Sequence, residues 1–287
     1  MLLVNTFDVE PWWATVPPCI AVDRWGDIPD RSEAPLRDYL DLCDEAGVKC
    51  TFFFIGWYAK CFPRRVEEVV RRGHELGCHS LFHEDVATMS IEQFRDSTRE
   101  AKAIIEDAGG AGVLAYRAPS FSFPPDRCRE LLVELKGLGF TIDSSITTAG
   151  RIYGGGYARE VFSSAGSLQK IYGVDIFEIP VPGVMLVGRE LPIFGGGYLR
   201  LAPELLLRRL VRSETYQVLY VHPHDFDLEL PDLPASSVLA KFRRRARLGD
   251  LREKVRHLFA MSDVKSCGEL FAQSTQVSPD SLVNILY

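Results

Sequence analysis

The segment KCTFFFIG, residues 49–56, shows no alternation of polar and apolar side chains, so as a strand it must be buried on both faces. That condition belongs to parallel sheets covered by helices, and the rest of the chain supplies them. Strand patterns at 2–7 (LLVNTF), 74–80, 113–120, 140–145, 176–181 and 216–225 alternate with helix patterns at 32–47, 63–73, 90–109, 124–139 and 203–213. Ser32 and Gly47 serve as cap and stop, Pro63 opens its helix, and Ser90 with Gln93 has capping-box spacing. Six or seven strands fall short of a full eight-stranded barrel. The expected fold is therefore α/β, a distorted or incomplete (β/α) barrel of about seven parallel strands. Residues 1–274 are expected to form one domain and 275–287 a peripheral C-terminal tail. The glycines at 154–156 and 195–197 are expected in loops, since neither run has the strand–GxGxxG–helix setting of a nucleotide cradle.

A hydrophobic content of 46% suits a protein with a sizeable core, and a net charge of -6 argues against nucleic acid as a partner. The basic run KFRRRAR at 241–247 is expected to be a solvated helix face. No apolar stretch approaches the ~20 residues of a membrane span. The N-terminus lacks the basic region of a signal peptide. Seven scattered cysteines without a Cys-x-x-Cys pair suggest reduced thiols and a cytoplasmic protein.

The polar residues carry the chemistry. Asp8 and Glu10 flank Val9 at the end of the first strand, so both acids point to one face. Buried there, they need a metal ion, an arginine or a histidine beside them; at a frayed, solvated strand end they need none. His79 and His83 follow the third strand, Arg117 the fourth, Asp143 the fifth and His222 the last. In a parallel barrel these C-terminal ends meet at one rim, where barrel enzymes keep their active sites. The spacing His-x-x-x-His sets two imidazoles one turn apart. Two histidines and a carboxylate make a catalytic zinc set with an open position. A second carboxylate, an arginine and a third histidine then remain for acid–base work.

The ordered series TFDVE, HSLFH, RAPS, DSS and VHPHD, over roughly the first 230 residues, resembles the motif series of the polysaccharide deacetylases (carbohydrate esterase family four). The resemblance implies a distorted (β/α) barrel that removes N-acetyl groups from sugars with a divalent metal, zinc first, with cobalt or another divalent ion as alternatives. It makes Asp8 the catalytic base, Glu10, His79 and His83 the metal ligands, Arg117 the residue orienting the base, His222 the general acid and Asp143 the carboxylate tuning it. The family's usual pair is two adjacent aspartates, whereas here Val9 separates Asp8 from Glu10. A tryptophan often follows the DSS position; here Ile146 stands nearby, and Trp12 or Trp13 either walls the sugar groove instead or simply packs a loop.

The segments LPIFGGGYLRL (191–201) and 242–258 resemble a bacterial branch associated with exopolysaccharide and O-antigen clusters. The expected partner is an acetamido sugar on a nucleotide or lipid carrier, contacted by Ser120, Gly196, Gly197 and Tyr198. Arg200 or the arginines at 243–245 could meet a diphosphate. An oligomer is compatible with all of this. A hydrolase of non-sugar amides or imides on the same fold and a non-catalytic glycan-binding relative stay open as alternatives.

Overall fold

A computed structural model describes residues 1–15, 19–149, 172–186, 188–212, 216–233, 241 and 244–275. The strands are β1 (Leu2–Val9), β2 (Thr51–Phe54), β3 (Glu75–Cys78), β4 (Ala115–Tyr116), β5 (Ile142–Asp143), β6 (Phe177–Glu178), β7 (Val184–Leu186), β8 (Arg189–Leu191), β9 (Gln217–Val221) and β10 (Asp263–Lys265). Seven of them pair in parallel in the order β9-β1-β2-β3-β4-β5-β6. Among the described residues β6 and β9 do not pair, which leaves the barrel incomplete, as expected from the sequence. Tyr216 reaches across that seam, its hydroxyl donating to Pro180 O at 2.9 Å. Short β10 fills the edge of β1 beside Leu2–Val4, where β2 has not yet begun.

Residue parity sorts the two faces. Leu3, Phe7 and Val9 of β1, with Phe52 and Phe54 of β2, pack against the helices in the larger core. Leu2 and Val4, with Phe53, Ala115, Ile142, Phe177, Val218 and Tyr220, fill the inside of the curled sheet. The inside is crowded. A Cβ added to Gly77 would lie 2.4 Å from the Phe53 ring, so only glycine lets β3 carry that ring.

The outer helices obey most of their local signals, but Ser32, expected as a cap, makes no side-chain capping bond to its helix. Glu33–Ala46 ends at Gly47 with φ 67, Pro63–Arg71 opens on its proline, and Ile91–Gly109 has the Ser90–Gln93 capping box. The loop expected at 195–197 is corrected: a helix, Gly196–Leu201, begins there, with Gly195 N–H bonded to Pro192 O and Gly195 O accepting from Leu199. The helices Leu251–Met261 and Cys267–Thr275 were not foreseen. The glycines at 154–156, and all of the expected tail beyond Thr275, lie outside the described residues.

Parity also decides the fate of Asp143. Ile142 faces inward, so Asp143 faces the helix layer, opposite Glu178 in register on β6. Burial pushes both carboxyl groups above the usual range, Asp143 to about 6, and Glu178 keeps the proton it donates to Asp143. The folded pair thus binds protons that the unfolded chain releases above about pH 4, so its contribution to stability falls from about pH 4 upward, through the Asp143 value of about 6 and on toward the higher one of Glu178. Glu178→Gln keeps a donor but removes the proton. The fall in Tm between pH 5 and 8 should shrink by about 3 °C or more in this variant. Identical slopes for the two proteins in thermal melts would rule the shared proton out.

Candidate active site

Asp8 lies on the inner face of β1 and Glu10 just past its end, and both are buried. Arg117 reaches them from the end of β4. Its Nη1 donates to Asp8 Oδ1 and to Thr6 Oγ1, each at 2.8 Å, and its Nη2 donates to Ser144 Oγ at 3.0 Å. Nε donates to Ser144 O at 3.3 Å, and the guanidinium lies 4.3 Å from the Phe53 ring centroid. The arginine is wholly buried, so removing either member of its pair with Asp8 would strand a charge, at a cost of about 3–5 kcal/mol.

The two histidines of HSLFH converge without a helical turn. Ser80 and His83 adopt φ of 65° and 59°, conformations uncommon for side-chain-bearing residues, and these fold the loop back on itself. The N–H groups of Gly56 and Trp57 hold it by Ser80 O and Leu81 O, both at 2.9 Å. His79 Nδ1 lies 2.8 Å from Arg117 O. A carbonyl only accepts, so Nδ1 carries the proton and Nε2 keeps its lone pair. That Nε2 is 3.7 Å from Glu10 Oε2, and His83 Nε2 is 2.8 Å from the same oxygen.

One ligand atom from each of Glu10, His79 and His83 falls within 4.8 Å of the others. His83 Nδ1 is buried without a hydrogen-bond partner, and Glu10 Oε2, though close to both imidazoles, makes no hydrogen bond of good geometry. Burial would raise the Glu10 pKa, but His83, His222 and His79 hold it well below the usual carboxylate range. Two imidazole nitrogens, a carboxylate and an outer carbonyl orienting one ring fit a divalent metal such as zinc.

His222 enters from the end of β9. Its Nδ1 lies 2.9 Å from Asp225 Oδ2, which also accepts from the His222 backbone N–H at 3.1 Å, and its Nε2 is 3.8 Å from Asp8 Oδ2. Burial pulls its pKa down, yet Glu10, Asp225 and Asp8 outweigh that and raise it to about 9. The expectation that Asp143 tunes this histidine does not fit the geometry. Asp143 lies on the other face of the sheet and accepts from Ser145 Oγ at 2.6 Å; Asp225 is the carboxylate that meets the His222 ring. Arg200 stands behind Asp225, Nη2 to Oδ1 3.7 Å, with Nη1 donating to Arg244 O at 2.8 Å, so it does not line the cavity as a substrate contact.

A cavity of about 280 Å³ gathers Asp8, Glu10, His79, His83, Arg117 and His222. Trp12 and Ser120 line it too, but Trp13 is buried in the core. Gly197 and Tyr198 do not line it, and Gly196 packs on Asp225 instead. His224 and Arg244 line it without having been foreseen. His224 stacks on His222 at 4.7 Å, and burial followed by the charge of His222 lowers its pKa to about 4 despite Asp225 and Glu10. The second histidine of VHPHD was the available signal. Arg244 corrects the solvated-face expectation for 241–247: its Nη2 donates to Trp12 O at 3.1 Å, whereas Arg245 and Arg247 are exposed.

Residues 25–138 match the family model described as polysaccharide deacetylase, and residues 144–272 one described as a domain of unknown function (DUF3473). A bifunctional xylanase/deacetylase of Pseudobutyrivibrio xylanivorans is 34% identical over 32% of this chain and 16% of its own length. A peptidoglycan-N-acetylglucosamine deacetylase of Bacillus cereus is 31% identical over 30% of this chain and 29% of its own. The matched stretches thus span less than a third of either relative. A crystal structure from Mycobacterium smegmatis, named a "putative polysaccharide deacetylase", shares the fold with a TM-score of 0.61 at 18% identity, over 97% of this chain and 92% of that one. Among the described residues no helix is long and apolar enough to cross a membrane.

A Cβ on Gly196 would lie 1.9 Å from Asp225 Oδ2. Gly196→Ala must therefore displace Asp225 from His222 and should cost about 1–3 kcal/mol of stability. In chelator-treated protein, NMR titration should place the His222 pKa at least one unit below its value in the parent chain in both Gly196→Ala and Asp225→Asn, and leave it in place in Asp143→Asn. A His222 pKa that follows Asp143 instead would restore the first assignment.

Proposed function

We propose that this chain, which belongs to the polysaccharide deacetylase family, hydrolyses the N-acetyl group of an acetamido sugar, with residues 1–274 as one catalytic unit. The observation that carries the reading is the meeting of Asp8, the Glu10–His79–His83 triad and His222 around one cavity. A divalent metal on the triad supplies Lewis-acid polarisation of the amide carbonyl and a more acidic water. Asp8, which accepts a hydrogen bond from Arg117, takes a proton from the attacking water. Its second oxygen lies 3.8 Å from His222 Nε2, so the proposed base and acid stand next to each other at one end of the cavity. Water oxygen bonds to the carbonyl carbon, the C–N bond breaks, and His222 gives its proton to the departing amine. The products are acetate and a free amino sugar. Asp225 keeps His222 protonated until that step.

The substrate we infer is an acetamido sugar in a precursor of a surface glycan, on a nucleotide or lipid carrier, in the cytoplasm. Seven free cysteines, five of them buried, support a reducing compartment.

His79→Ala and His83→Ala should lose metal and turnover together, with metal content read by mass spectrometry and turnover by amine release from acetamido sugars. Asp8→Asn should keep its metal and lose about 10²-fold or more of turnover. Undiminished turnover in verified metal-free protein would overturn the reading. The alkaline limb of kcat should follow deprotonation of His222. It should lie below 9 once a dication neutralises Glu10, and Asp225→Asn should move it lower still.

A further inference from the structure

One wall of the cavity carries donors without acceptors. Trp12 Nε1 and Arg244 Nε are both buried and, among the described residues, have no hydrogen-bond partner. Arg244 Nη2 joins the two residues through Trp12 O. The charges of the site make the arginine stand out. Asp8 is matched by Arg117, Asp225 by His222 and Arg200, and Glu10 belongs to the metal triad. Among the described residues no carboxylate makes an ion pair with Arg244. Burial weighs against its charge, and Asp225 and Glu10 offset that only in part. The cavity lining holds two carboxylates, Asp8 and Glu10, against two guanidiniums, Arg117 and Arg244. A dication on the triad then leaves the loaded cavity with an excess of positive charge.

We propose that Trp12 and Arg244 form a subsite for an anionic oxygen, a carboxylate or a phosphate, carried by the acetamido sugar. The indole supplies an apolar face for the sugar and one N–H donor; the guanidinium supplies the charge and a planar fork suited to either anion. This deepens the deacetylase reading and rests on it for the sugar, though not for the anion.

The test uses the full chain loaded with zinc. Calorimetry compares N-acetylglucosamine 1-phosphate, N-acetylmuramic acid and the neutral N,N'-diacetylchitobiose, and amine release is followed on the same three. At least one acidic sugar should bind about tenfold or more tightly than the neutral one. The better of the two acidic sugars identifies the anion. Arg244→Gln should erase that ratio, Arg244→Lys should restore part of it, and Trp12→Phe, which keeps the ring and removes the donor, should reduce it. Equal affinity for all three sugars in the parent protein overturns the subsite. So does a uniform loss across all three in Arg244→Gln, the mark of a merely structural arginine. An acidic sugar that keeps its advantage in Arg244→Gln is held by the zinc, and this too overturns it. If no sugar releases amine but the ratio still depends on Arg244, the deacetylase reading falls and the anion subsite stands.

Discussion

A guanidinium sealed inside the sheet governs the rest of this structure. Arg117 has no solvent to share its charge, so its position is fixed by the partners it must have: Asp8 and Thr6 on β1, Ser144 after β5, and the Phe53 ring on β2. That ring in turn needs Gly77 on β3. Five strands are thereby brought into one alignment. The same residue's carbonyl sets the tautomer of His79, so a single side chain and its backbone orient both the proposed base and one proposed metal ligand. Lysine could carry the charge but not the four directed bonds.

The two family models divide the chain between residues 138 and 144, yet the site does not divide there. His79, His83 and Arg117 lie in the first segment. Ser144, Arg200, His222, Asp225 and Arg244 lie in the second, while Asp8 and Glu10 precede both. β1 pairs with β2 on one edge and β9 on the other, so each segment needs the opening strand to place its side chains. The segment described only as a domain of unknown function brings His222 and the carboxylate that holds it.

Much of this was legible beforehand because strands announce themselves by apolar runs and their ends by sudden polarity. The parallel sheet, the inward pair Asp8 and Glu10, and the gathering of His79, Arg117 and His222 at one rim follow from those two signals. Asp143 did not follow because β5 has only two paired residues, too few for its parity to be read without its neighbours; one position decides between the cavity and the helix layer. Asp225 sat in plain view three residues after His222, but only the turn at Pro223 brings it back to the ring. Arg244 was hidden by its company in a basic run, where exposure is the usual fate, and by a partner 232 residues away. The left-handed residues of HSLFH have no compositional mark at all.

The central position of β1 also orders events in time. The carboxylate and the two imidazoles proposed to hold a cation all belong to the first 83 residues and are made early. The proposed acid arrives only with β9, and the last edge of β1 is covered only by β10. Until β9 is made, β1 has an open strand edge exposed to other chains. On the proposed chemistry, a chain that ends before β9 holds its cation-binding groups without the acid.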